Sequence, residues 1–250
     1  MRIPLFFPES AVTIGNTVSL GDSDARHISK SLRMRTGGEI LLADGMGRAY
    51  LAVLEKVDRD NVSCLVVRQV AETAAPGFRI TLVQALPKGD KMDLIVQKGT
   101  ELGLHGIIPL LSERAEVRLT EDKQVKRAQR WQRIAMEAAK QCRRLDVPRI
   151  SPPRTWAGVL EEMPRAVSAL IPWEEEAGYT LKDFLSARPA PQEIYYFIGP
   201  EGGFSSSEVE EARKYGIQPV SLGPRILRAE TAGLAVAAML LYQWGDLGGA

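Results

Sequence analysis

Beyond residue 78 the chain alternates short apolar runs with longer amphipathic stretches, and this alternation constrains its fold more than any other feature. The runs cover residues 80–86, 107–111, 169–173 and 194–198, and the helical stretches after them cover 92–102, 125–143, 181–185 and 207–215. Runs without polar alternation mark strands buried on both faces, and intervening helices supply the crossovers that parallel strands require. The expectation for residues 78–250 is an α/β domain built on a mostly parallel sheet. Its last stretch, residues 231–245, carries no charge. It falls short of the roughly 20 apolar residues that a bilayer crossing needs, so it reads as a buried helix.

The first part follows a different pattern. Short β-like runs at 17–20, 40–43, 50–57 and 62–70 are punctuated by turn residues such as Asp44-Gly45, which suits a small β-barrel. One helix interrupts them, starting at Asp22 or Ser23 and passing through Ala25, Ile28, Ser31 and Leu32 to the Gly37-Gly38 stop. Residues 71–77, AETAAPG, lack large apolar side chains and read as a linker, giving domains over 1–70 and 78–250. Cys64 and Cys142 are the only cysteines, too few for a disulfide framework, and Pro4 and Pro8 break the N-terminal apolar patch that a secretion signal would need. These features favour a cytoplasmic protein with no membrane partner.

Two segments stand out chemically. Ile198-Gly-Pro-Glu-Gly-Gly-Phe204 lies where a buried strand gives way to a helix, the place where open α/β sheets bind ligands. Ser221-Leu-Gly-Pro-Arg-Ile-Leu-Arg-Ala-Glu-Thr231 carries Arg225, Arg228 and Glu230 directly into the apolar last helix, where a charge must be paired or used. A tight turn would account for the first segment alone, and an internal salt bridge for the second. Neither has GxGxxG spacing, and no GxxxxGK[ST] loop occurs anywhere, so phosphate-bearing cofactors are disfavoured. With His27 and His105 the only histidines, and no HExxH, GxSxG or Cys/His cluster, neither a metal site nor a hydrolytic triad is expected.

The net charge is only +1, yet basic residues are unevenly placed. Arg26, Lys30 and Arg33 follow i, i+4, i+7 spacing, which would put them on one helical face. Between residues 123 and 149 lie Lys123, Lys126, Arg127, Arg130, Arg133, Lys140, Arg143, Arg144 and Arg149, opposed only by Glu137 and Asp146. A solvated helix explains either group, whereas the two together suggest a track for RNA phosphates.

The GPEGGF and LGxRILRxET segments, taken in order, resemble the RsmE family of small-subunit (16S) ribosomal RNA methyltransferases. The resemblance extends to Lys88-Gly-Asp-Lys-Met-Asp93, Lys98-Gly-Thr-Glu-Leu-Gly103, Ser112-Glu-Arg114, Arg130-Trp131 with Glu137-Ala-Ala-Lys-Gln141 and Arg144, and N-terminal His27, Leu32-Arg33 and Gly38, so it covers essentially the whole chain. Cys142 stands where many relatives have serine.

The resemblance implies a PUA-like N-terminal barrel and a SPOUT-class methyltransferase domain with a C-terminal trefoil knot. It further implies a homodimer that uses S-adenosylmethionine to methylate uridine N3 in ribosomal RNA, naked or in the assembled small subunit. The cofactor would lie among Ile171 and Pro172, the loop of Ile198, Gly199, Gly202 and Gly203, and the loop of Leu222, Gly223, Ile226 and Leu227. Because N3 is a weakly acidic imide nitrogen, its methylation needs a proton acceptor and a cation that stabilises the ring's negative charge, and Glu201, Glu230 and Arg228 are the candidates. Arg26, Lys30, Arg33, Arg114, Lys140, Arg143 and Arg144 are the candidate RNA contacts.

Three rivals compete with this reading. A ribose 2′-O methyltransferase of the same superfamily would carry an asparagine-headed motif early in the second domain, but the only asparagines are Asn16 and Asn61. A non-catalytic RNA-binding assembly factor would keep the basic faces without needing both loops. A pyrimidine C5 enzyme would use Cys142 as nucleophile, although that residue shares a helical stripe with Ala128, Trp131, Ala135 and Ala138.

Overall fold

In the first unit, alternation at period two sorts side chains cleanly: Val18 and Leu20 point inward from strand β2 (Thr17–Leu20) while Thr17 and Ser19 face solvent. The computed structural model describes residues 3–73, 77–115 and 120–249, and divides the chain into two units. The first, Met1–Pro76 with Ala139–Val147, holds a five-stranded sheet in the order β1-β3-β4-β5-β2. Strand β1 (Leu5–Phe6) pairs in parallel with β3 (Glu39–Ala43), and β3, β4 (Arg48–Val57), β5 (Val62–Glu72) and β2 are joined by antiparallel pairings. Register shifts between β4 and β5 at Ala49/Tyr50, Leu51/Ala52 and Leu54/Lys56 add the twist that curls the pair around its core. Ile40, Leu42, Ala52, Leu54, Val62 and Cys64 are fully buried there. Strand β5 takes in residues 71 and 72 of the expected linker, whose residues 74–76 lie outside the described residues.

The expected helix from residue 22 is cut short. Helix α1 (Asp22–Arg26) passes into a π-helical turn over His27–Ser31, with Leu32 N–H bonded to His27 O, and Arg33 then adopts a left-handed φ of 51°. Leu32 and Met34 both pack on the barrel core, and residues two apart cannot share one face of a regular helix. The i, i+7 relation assumed for Arg26 and Arg33 is therefore lost, although Arg26, Lys30 and Arg33 are all exposed. Residues 139–147 are tied into this unit by the Lys140–Asp24 ion pair at 2.8 Å, by Arg143 donating to Ile3 O, and by Gly47 N–H donating to Leu145 O.

The second unit is Gly77–Ala138 with Pro148–Ala250. Its sheet is parallel throughout, in the order β12-β10-β11-β6-β7-β8, with β9 also paired to β7. The strands are β6 (Arg79–Ala85), β7 (Gly106–Leu111), β8 (Arg149–Ile150), β9 (Arg154–Thr155), β10 (Ser168–Pro172), β11 (Glu193–Ile198) and β12 (Gln218–Val220). Val83, Ala85, Ile171 and Phe197 pack on one face with Val159 and Leu160 of α4 (Trp156–Glu162) and Val209 and Ala212 of α6 (Ser206–Lys214). On the other face α7 (Ala229–Trp244) lies over β6 and β11 and against α2 (Lys91–Leu102), and Tyr196 Oη donates to Gly233 O at 3.1 Å. Helices α3 (Glu121–Cys142) and α5 (Leu181–Ser186) complete the crossovers. Among the described residues no helix is long and apolar enough to cross a membrane.

Candidate active site

Adjacent strands β11, β10 and β12 end at the same edge of the sheet, and the loops leaving them enclose a cleft of about 800 Å³. The loop after β11 relies on glycine at two points. A Cβ on Gly199 would lie 3.1 Å from Gly203 C and 3.2 Å from Phe204 N, which are backbone atoms that cannot move aside cheaply, and Gly203 has a φ of 66°. Ser205 then caps α6 in a capping box with Glu208. The segment after β7 braces this loop: Glu208 accepts from Glu113 N–H at 2.9 Å, Ser205 Oγ donates to Glu113 at 2.7 Å, and Arg114 donates to Gly202 O at 3.0 Å.

The loop after β12 is held at its start by Ser221 N–H to Tyr179 O and by Leu181 N–H to Ser221 O. It turns through Gly223, exposes Ile226 to 87%, and ends at Arg228, the N-cap of α7. From the end of β10 come Pro172, Trp173 and Glu174. A Cβ on Gly203 would lie 3.4 Å from a Glu174 carboxylate oxygen, so bare glycine backbone and an acid meet in the cleft.

A charge cluster closes one rim. Lys91, in the first turn of α2, places Nζ 2.6 Å from Glu201 Oε1 and 3.6 Å from Glu230 Oε2. Glu201 also accepts from Lys88 N–H at 3.2 Å. Burial pushes the Glu201 carboxyl up, but the hydrogen bond from Lys91 and two backbone N–H groups outweigh it and leave the group below its ordinary value. The bond to Glu201 raises the Lys91 ammonium against the opposing effect of its own burial. Glu230 Oε2 is inaccessible to solvent and, among the described residues, has no hydrogen-bond partner.

Of the residues singled out in the sequence, Pro172, Ile198, Gly199, Glu201, Gly203, Leu222, Gly223, Ile226, Leu227 and Arg228 line the cleft. Ile171 does not, being fully buried in the sheet core, and the Gly202 carbonyl is engaged by Arg114. Glu230 meets the cleft through Lys91 and makes no ion pair with Arg228. Arg228 is exposed, and among the described residues its side chain makes no ion pair or hydrogen bond. Lys91, Trp173 and Glu174 escaped the sequence reading. Lys91 could have been found from the need of Glu201 and Glu230 for a cation, whereas Trp173 and Glu174 carry no signal beyond following a strand end.

The basic candidates divide by environment. Arg26, Lys30, Arg33 and Arg143 are exposed, Arg143 with a φ of 64°. The side chains of Lys140 and Arg144 are only 13% and 14% exposed and are held by Asp24 and Asp146. Arg114 supports the glycine loop. Cys142 is half-buried, donates to Ala139 O and is not part of the cleft lining, which removes the basis for a C5 nucleophile.

A parallel sheet with glycine-walled loops at its carboxyl edge, in a chain that also carries a small barrel, defines the class: residues 74–241 match the model of an RNA methyltransferase domain and residues 20–67 that of an RNA methyltransferase PUA domain. The chain is 34% identical to ribosomal RNA small subunit methyltransferase E of Bacillus subtilis, over 91% of this chain and 90% of the relative. The crystal structure of ribosomal RNA small subunit methyltransferase E from Neisseria gonorrhoeae bound to S-adenosylmethionine is 36% identical, with a TM-score of 0.87 over 98% of this chain and 99% of that one. A Legionella pneumophila methyltransferase solved with the same cofactor gives a TM-score of 0.88 at 29% identity, over 99% of this chain and 100% of that one. The chain belongs to the ribosomal RNA small subunit methyltransferase E family.

Proposed function

We propose that this chain transfers a methyl group from S-adenosylmethionine to N3 of a uridine in small-subunit ribosomal RNA. The observation that carries this is the cleft at the ends of β10, β11 and β12, where glycine backbone and the side chains of Ile198, Leu222 and Leu227 form a surface fit for a nucleoside. Its size lies within the range of about 300–1,000 Å³ usual for small-molecule sites. The Neisseria relative of the same fold is bound to S-adenosylmethionine. Glu174, with no ion pair among the described residues, is placed to accept hydrogen bonds from a cationic or hydroxylated ligand.

The cofactor supplies an electrophilic methyl on a sulfonium. The chain must bring the imide nitrogen in line with that methyl, take the N3 proton and stabilise the negative charge left on the ring. Arg228, exposed beside the cleft and without an ion pair among the described residues, suits the last task, and Glu230, whose carboxylate stands behind Lys91 at the rim, is the candidate for orienting the site or taking the proton. Glu201 is poorer as a base because it is held below its ordinary value by Lys91. Arg26, Lys30, Arg33 and Arg143 are the basic candidates exposed for RNA phosphates, although Arg26 is shared with Asp22 and Asp60 and Arg143 donates to Ile3 O. A homodimer would use α7 and α2, which pack together and leave Leu94, Met239 and Tyr242 exposed to 44%, 40% and 73%. The cytoplasm is where such a substrate is met.

The test is nucleoside mass spectrometry of ribosomal RNA and of intact small subunits after incubation with protein and isotopically labelled S-adenosylmethionine. A label in 3-methyluridine is the expected result. A ribose-methylated or 5-methylated nucleoside would replace the reading with one of the rivals, and no labelled nucleoside from either substrate would overturn it.

A further inference from the structure

The β10 end of the cleft carries a carboxylate that the fold itself does not use. Trp173 N–H donates to Val220 O at 3.0 Å and Glu176 N–H to Trp173 O at 3.2 Å, so the chain enters a tight turn as it leaves β10, with Glu174 as the first of its two central residues. Glu176 fixes that turn: its Oε1 accepts from the N–H groups of Gly178 and Tyr179 at 2.9 and 3.2 Å, and its Oε2 from Arg213 at 3.2 Å. Glu174 does none of this. It is exposed and lines the cleft, and among the described residues its carboxylate has no hydrogen bond or ion pair. A well-held backbone thus presents an acid whose acceptors are left for a ligand.

Facing that acid is bare backbone. A Cβ on Gly203 would lie 3.4 Å from Glu174 Oε1 and 3.8 Å from Oε2, so both oxygens border the space that this glycine leaves open. Two acceptors side by side suit two donors side by side, and the parts of S-adenosylmethionine differ in this respect. Adenine offers a single amino nitrogen, and the sulfonium has no donor. The amino-acid end brings its own carboxylate, which Glu174 and the neighbouring exposed Glu175 would repel and which Arg225, on the loop after β12, suits better. The ribose alone presents an uncharged pair of adjacent hydroxyls, and hydrogen bonds from them to a carboxylate are charge-assisted.

We propose that Glu174 is the residue that selects the cofactor's sugar, its two carboxylate oxygens accepting from the 2′- and 3′-hydroxyls of the ribose beside Gly203. This rests on S-adenosylmethionine lying in the cleft and is independent of which base is methylated. Glu174 takes no part in proton or methyl transfer. Its contribution is to binding, and it distinguishes a ribonucleoside cofactor from deoxyribose analogues that fill the same apolar walls.

The test is titration calorimetry on the full-length protein without RNA, with weak ligands measured by competition. The ligands are S-adenosylmethionine, S-adenosylhomocysteine, the 2′,3′-dideoxyribose analogue of the latter, and its analogue lacking the α-amino group. Wild-type protein should prefer S-adenosylhomocysteine to its dideoxyribose analogue by about 10-fold or more, as for hydrogen bonds to a charged group. In Glu174→Ala this preference should shrink to within about 2-fold, because the parent ligand loses affinity and the dideoxyribose analogue does not. Glu174→Gln, which keeps one acceptor oxygen without the charge, should fall between, and Glu175→Gln should match wild type. The loss in Glu174→Ala should be the same for S-adenosylmethionine, S-adenosylhomocysteine and the analogue without the amino group. Thermal unfolding should stay near wild type, since the side chain is exposed and holds nothing in place. A wild type indifferent to the hydroxyls, or a Glu174→Ala variant that keeps the full preference for ribose, would overturn the proposal while leaving the cofactor in the cleft. A loss confined to ligands that carry the amino group, or to the sulfonium form, would also overturn it and assign Glu174 to the other end of the cofactor. Wild-type protein that binds neither S-adenosylmethionine nor S-adenosylhomocysteine would remove the cofactor reading and the proposal together.

Discussion

Arg228 and Glu230 stand two residues apart at the start of α7 and have opposite environments: the arginine is exposed and without a partner among the described residues, the glutamate oxygen is buried beside Lys91. The sequence argument for both was that charge beside an apolar helix must be paired or used. That holds for Glu230, but Arg228 escapes the penalty by facing solvent, and its case rests on its place in the cleft wall. The partner of Glu230 lies in another segment, Lys88-Gly-Asp-Lys-Met-Asp93, which no local pattern joins to it before the fold is known. A prediction follows for the arginine. Arg228→Ala should slow single-turnover methylation by about 10²–10³-fold while calorimetric S-adenosylmethionine affinity stays near wild type, as for loss of one charge-stabilising donor. Arg228→Lys keeps the charge but not the planar fork, so it should recover only part of the rate. Near-wild-type rates in both variants would remove Arg228 from the reaction.

Among the elements, long buried strands and long helices were legible because they repeat a period over enough residues. Strands β8, β9 and β12 were not, since two or three residues cannot display one. Helix α1 was misread at its end because Ala25 and Ile28 fit a regular helix, whereas the chain passes into a π turn after which both Leu32 and Met34 meet the barrel core. The loop after β11 was legible through its glycines, but the bracing of that loop by Glu113 and Arg114 is a tertiary fact. This distinction can be tested. Gly199→Ala places a methyl 3.1–3.2 Å from the backbone of Gly203 and Phe204, so that backbone must shift by a few tenths of an ångström, and S-adenosylmethionine affinity should fall by about 10-fold in a protein that still folds. Arg114→Ala removes bonds to Gly202 O and Phe204 O without placing anything in the cleft, and should weaken the cofactor less. Calorimetry on the two variants checks the order, and equal wild-type affinities would show the loop to be irrelevant to cofactor binding.

For the molecule as a whole, a net charge of +1 says little about RNA, and the useful information lies in which cations are exposed. The sequence treated Arg26, Lys30, Arg33, Lys140, Arg143 and Arg144 alike, because pairing of residue 140 with residue 24 depends on residues 139–147 joining the first unit, which chain order does not reveal. Burial now separates them into two experiments. Arg26→Ala, Lys30→Ala and Arg33→Ala together should raise the dissociation constant for ribosomal RNA and flatten its logarithmic salt dependence by about 2, as expected if three phosphate contacts of roughly 0.7–0.9 released counterions each are lost. Their thermal stability should change little, since all three side chains are exposed. Lys140→Ala should do the reverse. It strands Asp24, whose side chain is 14% exposed, without its cation, so the cost should be about 3 kcal/mol of folding stability with the salt slope unchanged. Filter binding across a salt series, paired with denaturant unfolding of each variant, measures both quantities. A triple variant with wild-type salt dependence would show the exposed arginines and lysine to be merely solvated, and a flattened slope in Lys140→Ala would mean that this lysine leaves Asp24 to meet RNA.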